Sequence, residues 1–351
     1  MSARVLLITP EFYGVEKILK SVLEKSDYEV TWLENKTLTF DYHGTKSKFK
    51  FLRKLYFLIF LPHVRYLRKW LNKMDNLKFD ILFSINAHII CPYIFKRLKS
   101  INPELFSVLY LWDSFSMYDW SRELKLFNKV YTFDSEDSIR YSLEYRPNFY
   151  IRNGNNTREE IKYDLFFVGK LSPGRLMMMD KLTELTERSD IKTFLRLWPA
   201  YKIFFHNRFI YNFFKTFNLK GSWVTRYRLN FEAVEGILTR KYLIKNSMSY
   251  DEVQRQLFCS NVILDLPYEL QTGYTHRVIE ALANGRKIIT TNSYIRKESF
   301  YNPDQIHIID NKNPEIDFGW IRKRSEFPVD KYFSELEISE WIKTMVNVGI
   351  C

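Results

Sequence analysis

Short apolar runs alternate with amphipathic stretches along both halves of the chain. In the first 150 residues, the runs at 5–9, 29–33, 79–87, 106–113 and 129–134 have the composition of strands buried on both faces. Between them, 16–25, 92–100 and 135–145 carry apolar residues at helical spacing. Buried strands separated by amphipathic helices predict a parallel sheet with right-handed crossovers. Such sheets bind ligands at the carboxyl ends of their strands, and there the sequence places Glu11, Asn86, His88, Asp113 and Asp134.

The stretch 146–162 is polar and contains Asn153-Gly154-Asn155-Asn156, so 151–162 reads as a linker. A second alternating set follows, with strands expected at 163–169, 192–197, 262–266, 287–291 and 306–309. Helices are expected at 177–187, 251–258 and 275–283, and a last amphipathic helix at 333–348. No solenoid period repeats. The predicted fold class is α/β: two Rossmann-like domains, 1–150 and 163–325, facing each other across a cleft. The helical tail at 326–351 is expected to pack back on the first domain.

Composition narrows the class. The 351 residues are 46% apolar and 27% charged, with 11 Gly and 11 Pro, which excludes collagen-like, disordered and linker-rich chains. Cys91, Cys259 and Cys351 fit neither a zinc spacing nor a disulfide framework, so a reducing cytoplasm is expected. The N-terminus runs into a strand without a signal-peptide core. The longest apolar run, 55–62, falls short of the roughly 18 residues of a spanning helix, so the chain is expected to be soluble or peripheral.

The net charge of +12 has a local origin. Nine Lys/Arg and no acid lie between Asp41 and Asp75, and eight more with no acid between Asp190 and Glu232. Without these 17 cations the other 36 fall below the 41 acids. Both segments are rich in Phe, Tyr and Trp. The parts at 46–73 and 201–228 therefore suit an anionic membrane surface, aromatics buried and cations at the headgroups, unless they simply pack on the domains. No nucleic-acid-binding motif accompanies the charge, so no nucleic-acid partner is expected.

Candidate chemistry concentrates in 264–292, which reads as strand, loop, helix, turn and strand. Gly273 frees backbone N–H groups near a helix start, where the helix dipole favours a phosphate. Thr272 and Thr275 add hydroxyls, and Arg277 a guanidinium fork suited to phosphate oxygens. Glu280, one turn on, can accept hydrogen bonds from vicinal hydroxyls. Gly285 ends the helix, and the next strand returns Asn292 to the sheet edge. Earlier, 164–175 reads as a strand followed by a glycine-containing turn with Gly169, Lys170 and Arg175.

These segments resemble the donor half of GT-B-fold glycosyltransferases, where a glycine-bearing loop opens a helix carrying Glu-Ala-Leu-Ala-x-Gly. They look closer to a bacterial branch of polysaccharide and lipopolysaccharide biosynthesis with a Gln-x-Gly-x-Thr-x-Arg-x-x-Glu signature. The resemblance implies transfer of a sugar from a nucleotide-diphosphate donor to a hydroxyl of a bacterial surface glycan such as capsule, lipopolysaccharide or O-antigen. It implies no metal and no cofactor apart from the nucleotide-sugar substrate, and the two basic aromatic segments suit a lipid-linked acceptor. On this template Glu280 holds the donor ribose. Gln271, Thr272, Gly273, Thr275 and Arg277 meet the diphosphate, with Gly169, Lys170 and Arg175 beside it. The commonest retaining pattern has two glutamates eight positions apart; here Thr272 stands at the earlier one, which leaves the stereochemistry open.

An inverting transfer needs a general base from the first domain, and Glu11, His88 and Asp113 each follow an expected strand. Asp134-Ser135-Glu136 superficially resembles a metal-binding acid pair. Because Asp134 ends a strand and Ser135 can cap the next helix, helix initiation is the expected role. Two other readings remain open: transfer of a phospho-polyol from an activated nucleotide, and a non-catalytic membrane-associated α/β protein with a vestigial nucleotide site. The expected location is the cytoplasm, peripheral on the inner face of the plasma membrane.

Overall fold

The computed structural model describes residues 2–35, 70, 72, 77–86, 92–152, 160–198, 208–217, 228, 231–232, 240–267, 271–324 and 331–347. His88, Cys91, Cys351, residues 153–159 of the expected linker, and most of 46–73 and 201–228 lie outside the described residues. Two compact units emerge. The first comprises Met1–Arg152, Leu270–Tyr274 and Ser334–Cys351; the second comprises Asn153–Glu269 and Thr275–Phe333.

The first unit contains β1 (Arg4–Thr9), α1 (Val15–Lys25), β2 (Glu29–Glu34), β3 (Ile81–Ile85), α2 (Pro92–Ile101), β4 (Phe106–Leu111), β5 (Lys129–Thr132), α3 (Ser135–Tyr141) and β6 (Glu144–Tyr145). Its strands form one parallel sheet in the order β2-β1-β3-β4-β5-β6. The strand order reverses at β1 and β3, so the ligand edge of this sheet lies at their carboxyl ends. Leu6, Ile8, Leu82, Leu109 and Leu111 centre a core on one face, closed by Trp120 and Leu98. The apolar run forms strands because both faces of β1, β3 and β4 are buried.

The helix expected at 135–145 is shorter than its apolar pattern. It ends where Ser142 takes the left-handed conformation (φ 54°), and the chain re-enters the sheet as β6. Its cap is Asp134 rather than Ser135: Ser135 is already helical, while Asp134 is extended and accepts from the N–H groups of Glu136 and Asp137.

The second unit contains β7 (Tyr163–Lys170), α4 (Pro173–Glu187), β8 (Thr193–Trp198), α5 (Arg208–Thr216), α6 (Tyr250–Phe258), β9 (Ser260–Asp265), α7 (His276–Ala283), β10 (Lys287–Thr290), β11 (Ile306–Ile308) and α8 (Phe318–Arg322). All its strands are parallel, in the order β11-β10-β9-β7-β8, so the order reverses between β7 and β9. Leu165, Phe167, Leu195, Val262, Leu264 and Ile289 meet Met178, Met179 and Leu182 of α4 in its core. Each unit is thus a Rossmann-like α/β layer structure.

The expected single helix at 333–348 is two pieces, α9 (Lys331–Ser334) and α10 (Ile338–Val346). Between them the chain forms a parallel bridge, Tyr150 to Glu337, with Tyr150 N donating to Leu336 O and Ile338 N to Tyr150 O. Backbone pairing there replaces helical hydrogen bonds. Within the first unit, α10 packs on α1 and inserts Trp341, fully buried, against Phe149 (ring centroids 4.6 Å) and Tyr110 (4.7 Å). Its indole N–H donates to Pro147 O at 2.9 Å.

Candidate active site

In the second unit the sequence-derived residues gather at the carboxyl ends of β7, β9 and β10, where the strand order reverses. Gly169 and Lys170 end β7, with Gly169 buried and Lys170 exposed. A Cβ on Gly169 would lie 2.9 Å from the Phe167 ring, so glycine is needed for this close approach. Phe167, fully buried, lies beneath two guanidinium groups: Arg277 at 5.0 Å and Arg175 at 5.8 Å from the ring centroid.

Those guanidinium groups differ in use. Arg175 follows Ser172, whose hydroxyl accepts from Arg175 N and caps α4. Its side chain is turned inward, donating from Nε (2.9 Å) and Nη2 (2.6 Å) to Leu266 O and from Nη1 to Lys170 O (3.1 Å). Arg175 therefore braces the ends of β7 and β9 against each other. Arg277 donates from Nη2 to Val168 O at 2.8 Å, and its Nη1 lies 3.6 Å from Asp265 Oδ1. Its side chain keeps 18% exposure, and burial lowers its pKa against the opposing Asp265 and Glu280 charges.

Asp265, the last residue of β9 and fully buried, organises this edge. It accepts from the Thr275 hydroxyl at 2.7 Å and the Thr290 hydroxyl at 3.0 Å. Thr275 stands at the N-cap of α7, yet because its hydroxyl goes to Asp265 the helix has no side-chain cap. The first-turn amides and Arg277 thus form an electropositive end at the sheet edge. At the other end of α7, Gly285 (φ 65°) completes a Schellman turn: Gly285 N donates to Leu282 O and Arg286 N to Ala281 O. Asn292 is delivered back to the edge, where it accepts from Tyr294 N at 3.0 Å.

Glu280 is buried one turn beyond Arg277 and accepts from the Tyr250 hydroxyl at 2.7 Å. Burial raises its pKa; the hydrogen bond from Tyr250 and the Arg277 charge oppose that rise. Burial, together with the Glu280 carboxylate, pushes the Tyr250 phenol strongly up, so it stays a donor.

In the first unit, Glu11 and Asp113 follow β1 and β4. Glu11 is exposed. Asp113 Oδ2 accepts from Asn86 Nδ2 at 2.6 Å, and Asn86 Oδ1 accepts from Trp112 N at 3.2 Å. Asn86 holds a left-handed conformation (φ 54°) at the end of β3. Phe12 and Trp112, their rings 5.2 Å apart, bring the loops after β1 and β4 together, so Glu11 and Asp113 flank one aromatic contact.

Gln271, Thr272 and Gly273 belong to the first unit, while Gly169, Lys170, Arg175, Thr275, Arg277 and Glu280 belong to the second. The N–H groups of Thr272 and Gly273, and the Thr272 hydroxyl, are engaged by the Asp134 carboxylate. Gly273 is glycine for a packing reason: a Cβ would come within 2.6 Å of the Phe133 ring and 2.9 Å of its carbonyl oxygen. The sequence reading missed Asp265, Phe167, Tyr250 and this second task of Asp134. For Asp265 a signal existed, an acid closing an apolar run at the carboxyl end of a strand.

Among the described residues, no group of three or more His, Cys, Asp or Glu could hold a metal ion, and no helix is long and apolar enough to cross a membrane. No protein-family model matches the sequence, and no curated protein does. Solved structures do match. An α,α-trehalose 6-phosphate synthase from Burkholderia multivorans aligns with TM-score 0.57 and 8% identity over 100% of this chain and 97% of its own. A UDP-forming α,α-trehalose-phosphate synthase from Burkholderia vietnamiensis gives 0.56 and 9% over 99% and 100%. Its counterpart from Burkholderia xenovorans, in complex with glucose-6-phosphate, gives 0.54 and 11% over 99% and 100%. The likeness is one of fold, that of two Rossmann-like domains in the GT-B architecture.

Proposed function

We infer that the chain is a GT-B glycosyltransferase that moves a sugar from a nucleotide-diphosphate donor to a hydroxyl of a lipid-linked bacterial surface glycan. The observation that carries this reading is the start of α7 at the switch point of the second sheet, uncapped by its Thr275 and carrying Arg277 in its first turn, with exposed Lys170 at the end of β7. That arrangement suits a diphosphate, and Glu280, one turn on, suits the ribose hydroxyls. Solved proteins of the same fold that are named for a UDP-forming reaction support a nucleotide donor.

In the transfer, the bond between the anomeric carbon and the β-phosphate oxygen breaks and one to the acceptor oxygen forms. Lys170, Arg277 and the α7 dipole stabilise the charge left on the nucleoside diphosphate. Arg175 acts by bracing the edge. If the transfer inverts, Glu11 or Asp113 accepts the acceptor's proton; His88 stands as a third base by its sequence position. A lipid-linked acceptor fits a chain working at the cytoplasmic membrane face through 46–73 and 201–228. In favour of that placement, Phe209 and Phe213 of α5 and Phe217 just beyond its end, spaced four residues apart, are 78%, 46% and 63% exposed.

A panel of activated donors tests the reading: UDP-, GDP-, ADP-, CDP- and dTDP-sugars together with CDP-polyols, with hydrolysis or transfer followed by mass spectrometry. Turnover of one nucleotide sugar is expected. Turnover of a CDP-polyol alone would make the chain a phospho-polyol transferase, and no turnover or binding of any donor would refute catalysis. Flotation with anionic liposomes at low salt tests the membrane role, and absence of binding would reject it.

A further inference from the structure

The buried stretch of α7 runs from Val278 to Ala283, and Glu280 is its one charged residue. A carboxylate in such a place is costly unless it is hydrogen-bonded, and an apolar side chain of similar volume would pack there at least as well. Arg277, three residues earlier, is committed elsewhere: its guanidinium donates to Val168 O and pairs with Asp265. The hydrogen bond to the Glu280 carboxylate comes instead from α6, where the Tyr250 hydroxyl donates to Oε1 at 2.7 Å. Tyr250 opens α6 directly after its cap, Ser249, whose hydroxyl accepts from Glu252 N at 3.3 Å. Both helices lie against β9, with α6 reaching β7 and α7 reaching β10. Glu280 Oε2 accepts no hydrogen bond from a described residue, so one oxygen is committed and the other available. Tyr250, Glu280 and the strands beneath them all belong to the second unit.

We propose that Tyr250 is a positioning residue for ribose recognition in the donor site. Its hydroxyl holds Oε1 of Glu280 and fixes the plane of the carboxylate, which leaves Oε2 to accept from the vicinal hydroxyls of a nucleoside diphosphate. Tyr250 acts through Glu280 and does not itself touch the nucleotide. This rests on the donor reading above.

Calorimetry on the full chain tests this with two ligands: whichever of UDP, GDP, ADP, CDP and dTDP binds the wild type best, and the 2′,3′-dideoxy form of the same nucleotide. The wild type should prefer the hydroxylated form by about tenfold or more, the scale of a hydrogen bond to a charged group. Tyr250→Phe removes one oxygen atom and keeps the ring. It should weaken binding of the hydroxylated form about three- to tenfold and leave the dideoxy form within about twofold. Ser249→Ala loosens α6 without touching the bond between Tyr250 and Glu280; it should lower the melting midpoint and leave the preference intact. The Tyr250 donor and the Arg277 charge both hold the Glu280 pKa down against its burial, so in Tyr250→Phe the loss of affinity on acidification should begin at higher pH. With an active donor, Tyr250→Phe should raise KM for that donor and hold kcat.

An equal fall for both nucleotides in Tyr250→Phe, or none for either, overturns the inference alone: the bond would then join α6 to α7 and do nothing more. A wild type that binds a nucleoside diphosphate but prefers neither form overturns the assignment of Glu280 to the ribose. One that binds no nucleoside diphosphate overturns the donor reading, and the inference falls with either.

Discussion

Removing the charge of Asp265 should destabilise the second unit through Arg277. The carboxylate is fully buried, 3.6 Å from the Arg277 guanidinium, and holds the hydroxyls of Thr275 and Thr290. In Asp265→Asn both hydroxyls can reorient, since a hydroxyl donates or accepts. The guanidinium cannot adapt, and stranding one member of a buried pair costs about 3–5 kcal/mol. Arg277 keeps its bond to Val168 O, its place over Phe167 and 18% exposure, so the loss should be smaller, about 2 kcal/mol. Denaturant unfolding of wild type, Asp265→Asn, Arg277→Met and the double variant measures it. If the charge is what matters, Arg277→Met costs less in the Asp265→Asn background, with a coupling of about 1–2 kcal/mol. A loss below about 0.5 kcal/mol, or strict additivity, would refute the role assigned to Asp265.

Lys287 gives a pH test, because burial lowers its pKa from 10.5 to about 8, with Lys323 adding to the effect. Between those values the folded lysine is neutral and the unfolded one still charged, so wild-type stability should rise with pH relative to Lys287→Met. The rise should be about 2 kcal/mol from pH 7 to 9.5 in paired denaturant titrations, and a flat or falling difference contradicts it. For Glu280→Gln, nucleotide affinity should fall about tenfold by calorimetry if the carboxylate holds ribose hydroxyls. Because its pKa is raised, wild-type affinity should decline on acidification above the usual carboxylate range, and the Gln variant should lack that decline. Trp341→Ala empties a fully buried site and leaves Pro147 O without its indole donor, so unfolding stability should drop by about 3–5 kcal/mol.

The strands were the legible part of the fold, and the reason is burial. β1, β3, β4, β7, β9 and β10 have interiors covered on both faces, so their sequences are apolar runs that local pattern alone reveals. The pattern failed where long-range pairing decides. At 135–145 amphipathic spacing continues past Tyr141, but Ser142 reverses the backbone and Glu144 joins the sheet. At 333–348 Tyr150, far away in sequence, recruits Glu337. The candidate site divides in the same way. Arg277, Glu280 and Gly285 follow from helix spacing and capping rules. The partner of the Thr272 and Gly273 amides is Asp134, 138 and 139 residues distant, and nothing local to the loop announces it.

The partners of this loop change what its sequence pattern means. Glycine and threonine before a helix read as a phosphate cradle because their donors are assumed to await an anion. Here two protein carboxylates supply that anion: Asp134 takes the amides of Thr272 and Gly273, and Asp265 takes the hydroxyl of Thr275. Gly273 is explained by Phe133, and the uncapped start of α7 by Asp265 drawing the Thr275 hydroxyl away. The positive charge at this edge therefore resides in Lys170, Arg277 and the helix end, and Thr275 ties the helix start to Asp265. A ligand phosphate should accordingly be more sensitive to Arg277 than to the Thr272 hydroxyl. Comparing nucleotide affinity in Arg277→Met and Thr272→Val makes the contrast measurable: a larger loss from Thr272→Val would return the phosphate to the loop.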